Sequence, residues 1–288
     1  MIVLVLGASG MIGSTLVNTL SQNQKLNVYG TIKKDNIKVQ SSIYNKVNLI
    51  NNINFKETEK LEKLFDEVKP DFVINCIGLI KSSKSGSNPM EVIPINSLFP
   101  HNVSKLCHIY KSKFIHISTD CVFSGLVGDY EETSNPDPVD LYGKSKLLGE
   151  PINDNDLIIR TSLVGHEINS KNGLLEWFLS QKNMCDGYEN AIFSGFTSLG
   201  FANVIDKILS NYYELSGLYH ISSTPISKLD FLNKIAWRYE KNINIIKKEM
   251  PKVNRSLNAS LFDKKTGIKT DEWDTMIENM FLKKDLYV

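Results

Sequence analysis

The chain has 288 residues, a length that suits one large α/β unit or two domains of unequal size. Its 33 Lys and Arg residues nearly balance 32 Asp and Glu residues, so we expect no nucleic-acid partner and no membrane-surface partner. The four cysteines form no C-x-x-C pair and the five histidines have no metal-binding spacing, so we expect free thiols and no metal site. Without a long apolar run, the sequence is typical of a soluble cytoplasmic protein.

Short apolar runs alternate with amphipathic stretches through the first half of the chain. The expected strands are Ile2–Leu6, Leu26–Ile32, Phe72–Ile74, Phe114–Ile117 and Leu157–Ile159. The expected helices are Met11–Leu20, Thr58–Val68, Pro94–Tyr110 and Tyr142–Gly149. This alternation predicts an α/β fold, namely a Rossmann-type doubly wound parallel sheet with helices on both faces.

The strand–helix rhythm ends near Gly165. The segment Glu167–Asn190 is mostly polar around an apolar patch, and the part from Thr224 onward holds two of the three tryptophans. Because ligands of open α/β sheets bind beyond the carboxyl ends of the strands, we expect a smaller substrate-binding region there. The predicted division gives 1–165 and about 190–223 to a Rossmann domain, and about 166–189 and 224–288 to the substrate-binding region.

A glycine-rich loop joins the first expected strand to the first expected helix. In its G-x-x-G-x-x-G pattern, Gly7 permits a tight turn, Gly10 lets the backbone approach a pyrophosphate, and Gly13 lets the helix pack on the strand. Free N–H groups at the helix start suit phosphates, so the loop predicts a dinucleotide site, the alternative being a turn without a ligand. The loop residues expected to bind the cofactor are Gly7, Ser9, Gly10, Met11, Ile12 and Gly13.

The second expected strand ends in two lysines, Lys33 and Lys34. An NAD site usually places Asp or Glu at this point to hold the ribose 2′-OH, whereas two cations suit the 2′-phosphate of NADP. We therefore favour NADP, used as NADPH, over NAD. The alternative is that both lysines are merely solvated, and Asp35 follows them directly.

Tyr142 and Lys146 are four positions apart in a predicted helix, which puts both side chains on one face. A phenol has an unperturbed pKa of about 10, and a neighbouring ammonium stabilises the phenolate. The Y-x-x-x-K spacing alone is weak, but it follows the glycine loop and Ser118–Asp120 in order along the chain. Together these motifs predict a proton-transfer site beside the cofactor.

In this order, the motifs resemble an extended short-chain dehydrogenase/reductase, and more closely the dTDP-4-dehydrorhamnose reductases, which are nucleotide-sugar 4-keto reductases. The resemblance is specific as far as about residue 165 and is thinner beyond it. The segments that carry it are Pro70–Cys76, Ile95–Asn96, Ile117–Gly125, Tyr142–Lys146, Gly149–Glu150 and Arg160–Ser162.

The resemblance implies NADPH-dependent reduction of the 4-keto group of a nucleotide-linked 6-deoxyhexose, for the synthesis of surface polysaccharide precursors. Tyr142 would donate the proton to the ketone oxygen, and Thr119 would hydrogen-bond that oxygen. Lys146 would hold the nicotinamide ribose and tune Tyr142, while Asp120 would face the sugar or a water. The partner implied is a nucleotide-sugar substrate, and a homodimer is compatible with the resemblance.

Further binding residues follow from the same resemblance. Asn54 and Phe55 would flank the adenine, and Cys76, Ile77 and Gly78 would line the cofactor ribose and pyrophosphate. These positions extend the expected cofactor site from the glycine loop to the loop after the Phe72–Ile74 strand.

The expected substrate side includes Trp177 and Arg255. Trp177 lies where the sugar nucleotide would be covered, although such a residue is more often part of a core. Arg255 would neutralise a diphosphate through two hydrogen bonds, or else is a surface arginine. Cys121 and Ser124 stand where the rhamnose reductases commonly have Tyr and Asp.

Two other functions fit the same fold. A nucleotide-sugar epimerase or dehydratase would keep a tightly held oxidised dinucleotide, usually NAD, which the basic end of the second strand disfavours. A non-catalytic NADP-binding regulatory subunit would bind the cofactor and a partner enzyme, which the intact Thr119, Tyr142 and Lys146 disfavour.

Overall fold

In the computed structural model of this chain, the structure describes residues 1–33, 41–51, 58–83, 85–151, 153–168 and 171–287. The helices are α1 (Met11–Leu20), α2 (Ser41–Tyr44), α3 (Thr58–Val68), α4 (Pro89–Ile93), α5 (Phe99–Tyr110), α6 (Leu141–Leu148), α7 (Leu174–Ser180), α8 (Ser198–Asn211), α9 (Lys228–Arg238), α10 (Ser260–Thr266) and α11 (Trp273–Leu282). Within those ranges, no helix has the length and apolar character needed to cross a membrane.

A central sheet of seven parallel strands has the order β11-β6-β5-β4-β1-β2-β3. The strands are β1 (Ile2–Leu6), β2 (Asn27–Thr31), β3 (Asn48–Ile50), β4 (Phe72–Asn75), β5 (Lys113–Ile117), β6 (Leu157–Arg160), β7 (Leu163–Val164), β8 (Met184–Tyr188), β9 (Ala191–Phe193), β10 (Phe196–Thr197), β11 (Gly217–His220), β12 (Ile226–Ser227), β13 (Asn244–Lys248) and β14 (Val253–Arg255). The parallel sheet confirms the predicted α/β class.

Successive side chains of the central strands enter two different cores. Val3 and Val5 of β1 belong to a core that includes residues of α1, α8 and α11, whereas Leu4 and Leu6 belong to a second core with residues of α3 and α5. Because helices cover both faces, each inner strand buries both rows of side chains, which explains its continuous apolar sequence.

One predicted helix is divided in the structure. The sequence predicts a single helix over Pro94–Tyr110, but a π-helical turn, Pro94–Leu98, lies between α4 and α5. Pro94 has no N–H to donate, so the regular helical hydrogen bond is lost there. Within the turn, the buried Asn96 side chain bonds both main-chain groups of Leu79 and the Ser145 hydroxyl, and so ties the loop after β4 to α6.

The part of the chain beyond Gly165 contains strands as well as helices. It contributes to three small sheets, in which β7 pairs with β10, β8 with β13, and β9 with β12 and β14. Phe193, Phe231 and Trp273 of this part belong to the same core as β1. The division into two separate regions therefore stays a prediction.

The strand order reverses beside β1, because α1 leads to β2 on one side while β4 lies on the other. The loops after β1 and β4 meet there: a Cβ on Gly7 would lie 2.7 Å from Cγ1 of Ile77. A Cβ on Gly13 would lie 2.1 Å from the Gly7 carbonyl oxygen, so α1 begins directly against the end of β1. Such a reversal point is where open α/β sheets bind their ligands.

Replacing Gly13 by Ala is expected to lower the free energy of unfolding by about 1–3 kcal/mol, because the new methyl group meets main-chain atoms that cannot rotate away. Urea denaturation measures this difference. Gly78→Ala is the matched control, since its Cβ would have only an ordinary contact of 3.5 Å with the Asn96 side chain. Equal stability of the two variants would contradict the close packing of α1 on β1.

Candidate active site

A cleft of about 280 Å³ opens at the carboxyl end of the central sheet, at the reversal point. Its walls come from the start of α1, the loop after β4, the end of β5, α6 and the segment after β6. The residues that line it are Met11, Ile12, Cys76, Ile77, Gly78, Ile80, Ile117, Ser118, Thr119, Asp120, Cys121, Tyr142, Lys146, Thr161, Ser162 and Leu163. Nine of these are predicted site residues that the fold brings together.

The cleft carries unused polar groups that fit a dinucleotide. Helix α1 begins after Gly10, which offers no side-chain cap, and its first turn holds no acidic residue. In the described ranges, the N–H groups of Met11 and Ile12 have no hydrogen-bond acceptor. The Thr161 hydroxyl, which lines the same cleft, is buried and has no hydrogen-bond partner among the residues that the structure describes. Helix N–H groups suit phosphates, and a buried hydroxyl suits an amide or a ribose, so these residues fit NADP.

Other predicted cofactor residues are not among those that line this cleft. Lys33 is exposed just after β2, and Ser9 lies in the turn before α1. Lys34, Asn54 and Phe55 lie outside the described residues. Their predicted contacts with the 2′-phosphate and the adenine stay predictions.

Thr119 and Asp120 follow β5 and are held by local hydrogen bonds. The Thr119 hydroxyl accepts from the Cys121 N–H at 3.1 Å and donates to the Asp120 carboxylate at 3.1 Å. The Asp120 N–H donates to the Thr161 carbonyl at 3.1 Å, which joins this turn to the end of β6. Burial raises the pKa of Asp120, and Arg255 opposes that shift.

Tyr142 lies in the first turn of α6, which Asp140 caps by accepting from the Gly143 N–H at 2.8 Å. Burial raises the pKa of Tyr142, the neighbouring Cys121 adds to the rise, and the nearby Thr119 hydroxyl opposes it. The phenol therefore stays protonated at neutral pH, the form that a proton donor needs.

Lys146 is buried one turn further along α6. Its Nζ donates to the Ile117 carbonyl at 2.7 Å and lies 3.3 Å from His116 Nε2. Burial lowers the pKa of Lys146 to about 8. In the described residues, Nζ is hydrogen-bonded to β5 and not to the phenol, and the predicted tuning of Tyr142 by Lys146 stays a prediction. Because buried polar groups need hydrogen-bond partners, the Lys146 amine donates to the main-chain carbonyl of Ile117.

A buried ion pair joins three segments behind the cleft. The Arg160 guanidinium at the end of β6 donates to both carboxylate oxygens of Glu150, at 2.9 and 2.7 Å. The Ser118 hydroxyl donates to the same carboxylate at 2.6 Å. The side chains of Arg160 and Glu150 are only 4% and 11% exposed. The pair fixes the end of α6, and so Tyr142 and Lys146, against the strand ends that carry Thr119 and Thr161.

Three cations interact electrostatically with Asp120. Arg255 donates through Nε to the Phe123 carbonyl at 2.8 Å. Lys81 is one of the charges that lower the pKa of Asp120, and the half-buried Lys228 at the start of α9 interacts electrostatically with the same group. Sequence reasoning identified only Arg255, because the other two come from distant loops that carry no motif.

Two differences concern the predicted lining. Trp177 is 37% exposed on α7 and is not among the residues that line the cleft, whereas its neighbour Phe178 is buried in the main core. Sequence reasoning also assigned no site role to Thr161–Leu163, which complete one wall. The sequence signal that could have identified this wall is the Arg160–Ser162 segment, which is one of the segments that carry the resemblance.

A family model described as RmlD substrate binding domain matches residues 1–285. A relative in Haloferax volcanii, a probable low-salt glycan biosynthesis reductase, is 30% identical over 241 residues, which cover 80% of this chain and 78% of the relative. These matches confirm the predicted resemblance and the oxidoreductase class.

Two solved structures share the fold over the whole chain. The dTDP-4-dehydrorhamnose reductase of Bacillus anthracis, solved in complex with NADP, is 20% identical with a TM-score of 0.79 and covers 98% of this chain and 99% of its own. The UDP-glucuronic acid 4-epimerase of Bacillus cereus, solved in complex with NAD, is 21% identical with a TM-score of 0.78 and covers 100% of both chains. The predicted NADP cofactor agrees with the first of them.

Glu150→Gln is expected to lower the free energy of unfolding by about 3–5 kcal/mol, because it leaves the buried Arg160 without a countercharge. Asp274→Asn is the matched control. It removes the charge that faces Lys234 in a pair whose side chains are 37% and 77% exposed, so the loss should stay below about 1 kcal/mol. Urea denaturation of both variants measures the contrast, and similar small losses would show that Glu150 is not the anchor of α6.

Proposed function

Because the chain belongs to the RmlD substrate binding domain family, we propose that it is an NADPH-dependent reductase. Its substrate is the 4-keto form of a nucleotide-linked 6-deoxyhexose, and its product serves polysaccharide precursor synthesis. The observation that carries the proposal is the shared cleft: a protonated Tyr142, Thr119 and the open start of α1 lie around one volume.

When bound, NADPH supplies the hydride for the ketone carbon. The N–H groups of Met11 and Ile12 hold its pyrophosphate, and the buried Thr161 hydroxyl finds its partner there. Lys33, together with Lys34, accounts for the preference for a 2′-phosphate. Ile77 and Ile80 make the wall apolar and exclude water from the reacting carbon.

The proton comes from the Tyr142 hydroxyl. As negative charge develops on the ketone oxygen, the phenol donates to it, and the raised pKa ensures that the proton is present at neutral pH. The Thr119 hydroxyl turns from the Asp120 carboxylate to the same oxygen as a second donor. Lys146 then stabilises the tyrosinate as an ammonium in the cleft.

The Arg255 guanidinium favours a nucleotide diphosphate as part of the substrate. Lys228 and Arg255 both interact electrostatically with Asp120, whereas Lys81 also lies 3.7 Å from the Asp140 carboxylate. With Arg255 held at Nε by the Phe123 carbonyl, its two terminal nitrogens remain as a pair of donors for phosphate oxygens.

Tyr142→Phe is expected to reduce kcat by about 10²–10⁴-fold and to leave the Kd for NADPH nearly unchanged, because it removes only the proton-donating hydroxyl. The assay follows loss of NADPH absorbance with a set of 4-keto sugar nucleotides, and calorimetry gives the Kd.

Tyr110→Phe is the matched control for that experiment. The Tyr110 hydroxyl bonds Asp66 at 2.7 Å on α3, away from the cleft, so kcat should not change. A folded Tyr142→Phe protein that reduces substrate at the parent rate would remove the mechanism and support a regulatory subunit. Conversion of sugar nucleotide without net consumption of NADPH would support an epimerase or dehydratase.

A further inference from the structure

A chain of three buried side chains lies behind the cleft. Asn75 ends β4, His116 lies beside it in β5, and Lys146 reaches them from α6. Asn75 Nδ2 is 3.2 Å from His116 Nδ1, and His116 Nε2 is 3.3 Å from Lys146 Nζ. The exposed fractions of the three residues are 1%, 0% and 5%. Their hydrogen-bond roles are therefore decided by one another.

A main-chain N–H group determines which of these side-chain atoms donate hydrogen bonds and which accept them. The Ile77 N–H donates to Asn75 Oδ1 at 3.0 Å, which fixes the amide so that its NH₂ faces His116. His116 Nδ1 must then accept. Burial lowers the pKa of His116 well below its ordinary value, so the ring is neutral and carries its single hydrogen on Nε2.

This tautomer presents an N–H to the Lys146 amine. An ammonium has no lone pair and cannot accept that hydrogen, whereas a neutral amine accepts it and still donates to the Ile117 carbonyl. We propose that His116, oriented by Asn75, is a positioning residue that selects the neutral amine of Lys146. The ring is held for this task by stacking on Phe114 at a centroid distance of 5.9 Å.

Other titratable groups around Lys146 do not reverse this selection. The thiol of Cys76 faces it from the loop after β4, and burial keeps that thiol protonated by raising its pKa. Glu150 favours the ammonium from the end of α6, but both of its oxygens are bound to Arg160. Tyr142, on the same helix, is neutral, and His101 acts on the ring of His116 from α5.

The selection has a consequence for the proposed reaction, and this part of the inference rests on the proposed function. Proton donation leaves a tyrosinate at Tyr142, which an ammonium at Lys146 stabilises. The value of kcat/KM is expected to fall at high pH as the Lys146 ammonium loses its proton. A neighbour that favours the neutral amine shifts this fall, the alkaline limb of the pH profile, to lower pH. His116 thus sets the pH above which the reductase loses activity.

The first test needs neither a variant nor a substrate. Nitrogen-15 NMR of histidine-labelled protein without added cofactor, at a pH above the Lys146 pKa of about 8, distinguishes the two neutral tautomers from imidazolium. We expect His116 to carry hydrogen on Nε2 only. Hydrogen on Nδ1, or on both nitrogens, would overturn the inference whether or not the protein is a reductase.

The second test uses Asn75→Asp to exchange the donor and acceptor roles along these hydrogen bonds. Its carboxylate accepts from both the Ile77 N–H and His116 Nδ1–H, so Nε2 becomes an acceptor that stabilises the Lys146 ammonium. The pKa of Lys146, followed by carbon-13 NMR of labelled lysine and assigned by Lys146→Met, should rise by about one unit or more. The alkaline limb of kcat/KM should move upward with it.

Asn155→Asp is the matched control for charge. Asn155 contacts Lys113 at 3.3 Å, near the start of β6 and away from the cleft, so this variant should leave both the Lys146 titration and the limb in place. A folded Asn75→Asp protein with an unchanged Lys146 titration would overturn the inference. If the Lys146 titration moves but no ketone is reduced, the inference stands and the proposed function fails.

Discussion

The buried ion pair between Glu150 and Arg160 is the interaction on which the site depends. It joins the end of α6 to the end of β6, and the Ser118 hydroxyl adds the end of β5. Thr119, Tyr142 and Lys146 lie on or next to these three segments, so their mutual geometry is set behind the cleft rather than in it. A buried ion pair of this kind adds little net stability, but loss of one partner strongly lowers the free energy of unfolding. We therefore infer that its main role is to hold these segments in position.

The same burial that requires this pair also sets the chemistry of the cleft. Desolvation raises the pKa of Tyr142 and Asp120 and lowers that of Lys146, so each group moves toward its neutral form. For a reductase this favours the donor, because the phenol keeps its proton until the ketone oxygen takes it. The charges of Arg255 and Lys81 oppose the rise in the pKa of Asp120 and so favour its carboxylate form.

Much of the fold was predictable because its signals are local. The apolar run of β1, the glycine loop and the four-residue spacing of Tyr142 and Lys146 each predict structure within a few residues, and the bounds of α1 and α3 are as predicted. The π-helical turn at Pro94–Leu98 was not, because a proline in a helical pattern does not reveal how the next turn rearranges. Lys81 and Lys228 reach the site only through tertiary packing, which no spacing encodes.

The role of His116 shows the same limit more sharply. An apolar strand with one histidine predicts a satisfied core residue, and the ring is indeed buried and hydrogen-bonded. Which ring nitrogen of His116 carries the hydrogen depends on the Ile77 N–H and on the Asn75 amide of the neighbouring strand. Only the three-dimensional arrangement reveals which nitrogen faces Lys146.

The proposed function requires that hydride passes from NADPH to the ketone carbon of a sugar nucleotide bound in this cleft. The direct measurement uses NADPH carrying deuterium at the transferable position of its nicotinamide, with 4-keto-6-deoxy sugar nucleotides as substrates and mass spectrometry and NMR of the product. We expect one deuterium per product molecule, located at C4 of the sugar, and one NADPH oxidised for each product molecule formed. A product formed without deuterium and without loss of NADPH would contradict the proposed function.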